Sequence, residues 1–270
     1  MRKLLLRVLW PLTWPVRRYW IRSERKLGKK LAVDRVLKRL LPPPPAGFES
    51  ELPGGGKVFL HYREDLGLVA LMSGGFERSE IEAAVRHARP GSVAIDVGAN
   101  VGIFTIPLAR AVGPDGRVLA FEPAPANVTR LVQNVALNGL ENVDVHAVAV
   151  ADRPGEVTLR LGVDPAFHST TTVAEARAAG TTLTVRSETL DAVWAEAGAP
   201  AVSIVKVDTE GGELATLRGA ERLFDRCRPT LLVEAKAEED ELDEWLGARG
   251  YGRTRPRGFA DGNYLCVPEP

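Results

Sequence analysis

Four acidic side chains stand at the ends of segments that are predicted to be buried strands. They are Asp96, Glu122, Asp208 and Glu234. Because parallel strands point their carboxyl ends the same way, we expect all four along one edge of a sheet, where open α/β sheets bind ligands. A single acid at such a position often only caps the following helix, but four in register are hard to explain as caps alone. Carboxylates in this crevice can balance a cation or accept a proton.

The turn after the first of these strands indicates the kind of ligand. Val93–Gly102 combines an apolar segment, a glycine turn and the predicted start of a helix. Gly98 allows the backbone to turn without a Cβ, and Gly102 permits helix, strand and ligand to pack closely. The spacing is Asp-x-Gly-x-x-x-Gly rather than Gly-x-Gly-x-x-Gly, and the turn carries Asp96 and Asn100. It therefore favours a cationic, phosphate-free nucleoside such as S-adenosylmethionine over the NAD of a dehydrogenase.

Glu122 lies 20 residues after Gly102, at the end of the second predicted strand of this group. An acid at this distance commonly bridges the two hydroxyl groups of a ribose. The alternative is that Glu122 only begins the Glu-Pro turn that follows the strand. The strand, glycine turn and helix that should accompany a ribose-binding acid are all predicted here, so we favour the ribose interpretation.

The predicted elements alternate between strands and helices, which is typical of βαβ units and a parallel sheet. Strands are predicted at Lys57–Tyr62, Val93–Val97, Arg117–Phe121, Val143–Val148, Gly155–Leu161, Thr182–Arg186, Val202–Val207 and Thr230–Val233, with one or two antiparallel strands in Gly252–Val267. Helices are predicted at Glu80–Arg89, Val101–Ala111, Asn127–Asn138, Leu190–Ala197, Leu214–Phe224 and Glu238–Arg249. Ser79 and Glu82 are expected to form a capping box at the first of these helices. Leu66–Met72 is predicted to be a further apolar segment, and Asp164–Thr172 a polar loop.

Charge divides the chain into two parts. The formal net charge is zero, but residues 1–40 hold 13 basic residues against Glu24 and Asp34, which gives +11 there and −11 in the remainder. Residues 21–41 are predicted to be helical, and Pro42–Pro45 is predicted to end that helix and act as a stiff spacer. We therefore place a basic, tryptophan-containing extension at residues 1–45 and a domain at residues 46–270.

The cysteine and apolar content of the chain indicate the compartment in which it works. Cys227 and Cys266 form neither a disulfide framework nor a metal-ligand spacing, so a reducing, cytoplasmic location is expected. The apolar fraction of 45% is enough for a sizeable core, and no apolar run is long enough to cross a bilayer.

Several motifs occur in order along the chain and together carry a family resemblance. They are Val-Ala-Ile-Asp-Val-Gly-Ala-Asn-Val-Gly-Ile-Phe-Thr (93–105), Val-Leu-Ala-Phe-Glu-Pro (118–123), Val-Lys-Val-Asp-Thr-Glu-Gly-Gly-Glu (205–213), Leu-Arg-Gly-Ala (217–220) and Leu-Leu-Val-Glu (231–234). The chain resembles the FkbM-type methyltransferases over roughly Asp65–Val267. The resemblance implies an α/β fold of the class I methyltransferase type. Its seven-stranded Rossmann-like sheet would be mostly parallel with helices on both faces, and its cofactor would be S-adenosyl-L-methionine.

The resemblance also implies roles for individual residues. The methionine part of the cofactor would be held by Asp96, Gly98, Asn100 and Gly102, the ribose by Glu122, and the adenine by the loop from Ala149 to Asp152. Asp208 and Glu210 match the acids of the family's Lys-x-Asp-x-Glu-Gly-x-Glu signature, and would face the methyl group and the acceptor.

The expected reaction is O-methylation of a hydroxyl of a sugar, a glycan or a secondary metabolite. A hydroxyl acceptor must lose a proton, and Asp208 or Glu210 is the preferred base. Glu210 and Glu213 could instead be ordinary acids at a helix N-terminus, and for Glu213 we favour that interpretation. Many family members carry a His where this chain has Lys236, and His168 is a candidate substitute.

Three further alternatives stay open at this stage. Asp208, Glu210 and Glu234 could act as hard oxygen ligands of a metal, although no ligand triad is evident and no metal is expected. The segment 102–109 is similar to some tRNA methyltransferases, which, with the basic extension, keeps RNA as a second acceptor class. A domain that binds the ligand without catalysis is disfavoured by the retained acids Asp96, Glu122 and Asp208.

The basic extension suits an anionic partner. Trp10, Trp14 and Trp20 accompany its Lys and Arg residues, a composition typical of segments that lie in a membrane interface. A nucleic-acid contact and a solvated basic arm are the other interpretations. A secretory signal is disfavoured because Arg7 interrupts the apolar stretch and no Ala-x-Ala cleavage site follows.

We expect the full chain to co-sediment with anionic vesicles and to remain in the supernatant with neutral ones, since its arm carries +11. High salt should release it, because salt screens the attraction. Deletion of residues 1–45 should abolish sedimentation. Equal recovery of both forms of the protein would contradict membrane association through this segment.

Overall fold

The computed structural model describes residues 47–61, 77–160, 169–171, 182–235 and 239–269. The chain divides into two units. Of the first unit the described residues are 47–51 and 59–61; the second contains residues 52–58 and the described residues from 77 onward. The extension, its proline boundary and the segment Leu66–Met72 lie outside the described residues and stay predictions. Among the described helices, none is long and apolar enough to cross a membrane.

Thirteen strands and seven helices make up the described elements, numbered here along the chain. The strands are β1 (Gly47–Glu51), β2 (Lys57–His61), β3 (Val93–Val97), β4 (Arg117–Phe121), β5 (Val143–His146), β6 (Ala149–Val150), β7 (Gly155–Arg160), β8 (Ser169–Thr171), β9 (Thr182–Glu188), β10 (Val202–Val207), β11 (Thr230–Glu234), β12 (Tyr251–Thr254) and β13 (Asn263–Pro268). The helices are α1 (Arg78–His87), α2 (Thr105–Val112), α3 (Pro125–Leu137), α4 (Leu190–Glu196), α5 (Glu213–Arg218), α6 (Glu221–Cys227) and α7 (Glu239–Gly247).

Seven of these strands form the central sheet, in the order β5-β4-β3-β10-β11-β13-β12. β5, β4, β3, β10 and β11 are mutually parallel, whereas β13 runs antiparallel to both β11 and β12. β1 and β2 form a two-stranded sheet, and β6, β9, β7 and β8 form a four-stranded one. The predicted seven-stranded, mostly parallel α/β fold is therefore confirmed.

Burial of β3 on both faces explains its apolar sequence. All five residues of Val93–Val97 are buried, as expected for a parallel strand covered by helices on both sides. Ile95 and its alternate neighbours join the main hydrophobic cluster with side chains of α4 to α7. On the other face of the sheet α2 packs against β3 and α1 against β10 and β11, and Asp96 on that face accepts a hydrogen bond from Thr105 at the start of α2.

The helix after β3 begins later than predicted. We expected Val101–Ala111, whereas α2 runs from Thr105 to Val112 and residues 101–104 form turns. The reason is local backbone geometry. Asn100 has φ 51° and Gly102 has φ 98°, and a right-handed helix cannot contain such residues.

The predicted helix Leu214–Phe224 is wrong as a single element, because α5 ends at Arg218 and α6 begins at Glu221. Gly219 separates them and packs against the backbone carbonyl of Ala151 so closely that a Cβ would overlap it. The Asp191 carboxylate then accepts hydrogen bonds from the backbone N–H groups of Arg222 (3.0 Å) and Leu223 (2.8 Å). An acid from α4 therefore caps the N-terminus of α6, a contact that no local pattern reveals.

The predicted capping box at α1 is also wrong. The residue that precedes this helix is Glu77, with φ 49° and no side-chain cap, and Glu82 pairs with Arg78 at 3.2 Å instead of reaching back to Ser79. The third parallel strand is shorter than predicted, since β5 ends at His146 and Ala149–Val150 belongs to the four-stranded sheet. Part of the predicted polar loop, Ser169–Thr171, is a strand of that sheet.

Replacement of Gly219 by Ala tests the break between α5 and α6. The added methyl would meet the Ala151 carbonyl, and such overpacking costs about 1–3 kcal/mol. Gly247→Ala is the matched control, because its Cβ would meet nothing within 4 Å and Ala is favoured in a helix. We expect urea unfolding to show a clearly lower free energy of unfolding for Gly219→Ala and no decrease for Gly247→Ala. Equal stability of the two variants would rule out the proposed packing.

Candidate active site

Lys206 stands at the centre of the site. It is only 4% exposed, and its position in β10 is opposite Asp96 in β3. Its Nζ lies 3.4 Å from Asp96 Oδ1 and 3.7 Å from Asp208 Oδ2. The same ammonium donates hydrogen bonds to the carbonyl oxygens of Gly98 (2.9 Å) and Val97 (3.4 Å). One buried cation therefore joins the carboxyl ends of two neighbouring strands.

The surroundings of Lys206 keep it charged. Burial by itself lowers the pKa of this ammonium, but the charges of Asp96 and Asp208 outweigh that effect and raise the pKa above its ordinary value. The Phe104 ring adds a cation–π contact, with its centroid 5.1 Å from Nζ. A charged lysine at this depth is tolerated only with such compensation.

Asp96 lies beneath the turn rather than at its surface. The residue is fully buried, and its Oδ2 accepts a 2.6 Å hydrogen bond from Thr105 Oγ1. Its Oδ1 faces Lys206 and accepts no hydrogen bond from the described part of the chain. The structure thus shows Asp96 holding the protein's own groups, and its expected contact with the methionine part of a cofactor stays a prediction.

The turn that follows β3 is held by backbone contacts. The N–H groups of Gly98 and Ala99 donate to the Phe121 carbonyl oxygen at 3.0 and 2.9 Å. Gly98 has φ 77°, and a Cβ there would overlap the carbonyl oxygen of Asp208. Glycine is therefore required, because the backbone that follows β10 leaves no room for a side chain and the backbone at Gly98 is left-handed.

Glu122 is oriented by the same turn. Its Oε2 accepts a hydrogen bond from the N–H of Asn100 (2.9 Å), and its Oε1 accepts from the N–H of Ala124 (2.8 Å) and from Asn127 Nδ2 (3.4 Å). Burial raises the pKa of this carboxyl, and the three hydrogen bonds partly offset that rise. The carboxylate is thus fixed beside the glycine turn, and Oε2 keeps a lone pair for a further donor such as a ribose hydroxyl.

The loop predicted to line adenine is part of the four-stranded sheet. Ala149 is buried in β6, which pairs with β9, whereas Asp152 is exposed. Thr216 Oγ1 of α5 donates to the Val150 carbonyl oxygen at 3.3 Å. Beside this loop, His146 stacks on Phe121 with ring centroids 4.8 Å apart, and burial lowers the pKa of His146.

Glu213 organises the loop that follows β10. Its Oε1 accepts hydrogen bonds from Thr209 N–H (2.9 Å), Thr209 Oγ1 (3.0 Å) and Gly211 N–H (3.0 Å). Glu213 is the first residue of α5, which confirms its interpretation as an acid at a helix N-terminus. Glu210 lies in the loop itself, with φ 54°, so the same interpretation is wrong for Glu210.

The structure brings three of the predicted acids together. Carboxylate oxygens of Asp208, Glu210 and Glu234 lie within 4.8 Å of one another. Clustered carboxylates of this kind are common in proteins without an ion, so we assign them no metal role. Glu122 stands apart from this group, on the side of the sheet edge that carries the glycine turn.

An open cleft lies between Asp208, Glu234 and the start of α1. The side chains that matter most along it are Glu77, Phe104, Lys206, Asp208, Glu234 and Asn263. Asp208 Oδ1 is buried and accepts no hydrogen bond within the described ranges. It is therefore an acceptor that can receive the proton-bearing group of a ligand.

Glu77 belongs to the cleft but carries no motif in the sequence. Burial, together with the negative charges of Asp208, Glu80 and Glu234, raises the pKa of Glu77 to about 8, although Lys206 opposes the rise. Its neighbours come from β10 and β11, more than a hundred residues away, so no local signal could have identified it. The candidate His168, and Lys236 at the position of the family's His, lie outside the described residues, and the role of His168 stays a prediction.

The side chains of the site fit a cationic nucleoside. The described lining offers carboxylates and, as its only basic side chain, Lys206, which is already held by Asp96 and Asp208. A phosphate would be repelled by these carboxylates, whereas a sulfonium or an ammonium would be attracted. Glu122 adds an oriented carboxylate for a diol. The residues present therefore suit S-adenosylmethionine and do not suit a pyrophosphate.

The fold and this site define a Rossmann-like methyltransferase. Residues 96–252 match the family model described as the methyltransferase FkbM domain, and the chain belongs to this family. Membership confirms the methyltransferase class, and S-adenosylmethionine as the cofactor.

Individual proteins are similar to this chain over more than half of its length. The chain is 29% identical over 206 residues to the 31-O-demethyl-FK506 methyltransferase FkbM of Streptomyces tacrolimicus, a match that covers 63% of this chain and 76% of the relative. It is 26% identical over 196 residues to the methyltransferase sdnD of Sordaria araneosa, covering 60% and 74% of the two chains. The crystal structure of a methyltransferase FkbM from Methylobacillus flagellatus KT superposes with a TM-score of 0.46 and 19% identity, over 74% of this chain and 52% of that one.

Replacement of Lys206 by Met tests the central cation. It leaves the fully buried Asp96 carboxylate without its counter-charge, which costs about 3–5 kcal/mol. The double variant Lys206→Met, Asp96→Asn should recover part of this loss, because it removes the uncompensated charge. The exposed Lys57→Met is the control, and urea unfolding is the measurement. A Lys206→Met protein as stable as Lys57→Met would contradict the role of the cation.

Proposed function

We propose that this methyltransferase transfers a methyl group to a hydroxyl of a neutral or cationic small molecule, such as a sugar, a glycan or a secondary metabolite. The observation that carries the proposal is the buried, unpaired Asp208 Oδ1 in the acid-lined cleft. An oxygen of this kind can accept a hydrogen bond from an incoming hydroxyl. The name of the Streptomyces tacrolimicus relative, which describes methylation at an oxygen of FK506, supports the same chemistry.

Asp208 would serve the reaction through its two oxygens. Oδ2 faces Lys206, which holds the side chain in place, and Oδ1 is left to orient the hydroxyl and take its proton. Glu210 follows in the same loop, and its position in the acid cluster makes it a second proton acceptor. S-adenosylmethionine supplies an electrophilic methyl group, so the protein has mainly to align the acceptor and exclude water.

The cofactor would be held by the glycine turn and the residues around it. We propose that Glu122 binds the ribose hydroxyls, that the turn from Gly98 to Gly102 holds the methionine part, and that the loop from Ala149 to Asp152 lies along the adenine. Asp96 would act on the cofactor through the turn, because its own carboxylate is occupied by Lys206 and Thr105.

The charge of the cleft disfavours RNA as the acceptor. Nucleic-acid sites neutralise phosphates with Lys and Arg, and the described lining of this cleft carries carboxylates with one compensated lysine. A cytoplasmic location and a peripheral contact of residues 1–40 with an anionic membrane remain part of the proposal, on the grounds of composition and charge.

The acceptor class can be tested with methyl-labelled S-adenosylmethionine. The panel should contain neutral polyhydroxylated macrolides, unphosphorylated glycans and bulk tRNA. We expect label in the first two groups and none in tRNA. Label in tRNA alone would contradict the proposal.

With an acceptor from this panel, Asp208→Asn should lower kcat by about 10²–10⁴-fold, the usual contribution of a general base. Asp115→Asn, in an exposed turn, is the control and should leave kcat unchanged. An unchanged rate in Asp208→Asn would exclude Asp208 as the proton acceptor.

A further inference from the structure

Glu77 is an acid of the cleft to which the proposed reaction gives no role. It precedes α1 and lines the same cleft as Asp208 and Glu234. Its backbone is left-handed, with φ 49° and ψ 38°, a conformation that is unfavourable for a glutamate. The side chain gives no capping hydrogen bond to α1 in return. Backbone strain that no local hydrogen bond offsets is common at functional sites, which points to a role for Glu77 in the cleft.

The charges around Glu77 do not balance. Glu80 faces it from its own helix, Lys206 and Asp208 from the end of β10, and Glu234 from β11. The single cation among them is already paired with Asp208 and with the fully buried Asp96. Burial, and after it the excess negative charge that remains around Glu77, raise the pKa of its carboxyl group to about 8, so the group is mostly protonated at neutral pH.

A positive ligand charge would reverse this state. A cation within a few ångströms favours the ionised form of a carboxyl group, and the effect is strongest where water is excluded. The methyl donor carries a sulfonium cation, whereas S-adenosylhomocysteine carries a neutral thioether at the same position. The two molecules have the same amino acid, ribose and adenine parts, so a comparison between them isolates the sulfonium charge.

We propose that Glu77 is a proton-linked counter-charge for the methyl donor: it is protonated in the free protein and ionises when the sulfonium enters the cleft. Binding then releases the carboxyl proton to solvent, and no other bond is made or broken. When the sulfonium charge is lost with the methyl group, the carboxylate takes up a proton again. This inference rests on the proposed function, because it places the sulfonium in the cleft that receives the acceptor.

The direction of the pH dependence follows from this linkage. A ligand whose binding releases a proton binds more tightly as pH rises, until the group is already ionised in the free protein. The affinity for S-adenosylmethionine relative to S-adenosylhomocysteine should therefore rise with pH by up to about tenfold per pH unit below 8 and level off above it. A fixed carboxylate would give a constant ratio across this range.

Isothermal titration calorimetry of the full chain at pH 7.0 measures the released protons directly, using two buffers of different ionisation enthalpy. S-adenosylmethionine and S-adenosylhomocysteine are the two probes. We expect the wild type to release up to about one more proton with the first probe than with the second. Glu77→Gln should abolish this excess. Glu82→Gln should retain it, because Glu82 is an exposed residue of the same helix, with 44% of its side chain accessible.

Each outcome decides a different point. An excess that persists in Glu77→Gln, or its absence in the wild type, would overturn the role of Glu77. If Glu77→Gln fails to fold, the proton release of the wild type still tests the proposal. Glu77→Asp keeps a carboxyl group and should therefore keep the excess proton release. A wild type that binds neither probe would refute the donor site and the proposed function, whereas normal binding without excess proton release refutes only the counter-charge.

Discussion

A single buried ammonium holds the functional edge of the sheet together. Lys206 contacts Asp96 on β3, Asp208 beyond β10 and the carbonyl oxygen of Gly98 in the turn between β3 and α2. The transfer of this charge from water is unfavourable, and two carboxylates and two carbonyl groups offset the penalty. These contacts also determine which oxygens of the surrounding acids remain available to a ligand.

The acids at the strand ends have different functions although they share one sheet edge. Asp96 is enclosed and stabilises Lys206, whereas Asp208 places Oδ2 near Lys206 and its buried Oδ1 accepts no hydrogen bond from the described residues. Glu122 is fixed by the N–H groups of the turn that it follows. Glu234 contributes negative charge to the cleft from β11. Burial and hydrogen bonding, rather than residue type, therefore separate structural acids from acids that can meet a ligand.

Three of the five non-glycine residues with left-handed backbones in the described ranges lie in the same region. Glu77, Asn100 and Glu210 have left-handed backbones, and each lies beside the cleft or the glycine turn. Asn tolerates this conformation, but for two glutamates it is unfavourable. Such strain persists only where the surrounding packing enforces it, and it is common at functional sites. The acid-lined cleft and the family of the chain then agree on a reaction that uses a cationic methyl donor.

The sequence by itself determined the sheet, the glycine turn and the class of ligand. The bounds of β3, β4 and β10 were predicted correctly, because parallel strands that are buried on both faces require uninterrupted apolar segments. Sequence motifs also identified the acids of the edge and the family. Only the tertiary structure decided that α5 and α6 are separate, that Asp96 is enclosed by Lys206 and Thr105, and that Glu77 enters the site. The reason is physical: periodicity and turn residues record local backbone preference and burial, whereas the charge that a buried side chain meets depends on strands and helices far away along the chain.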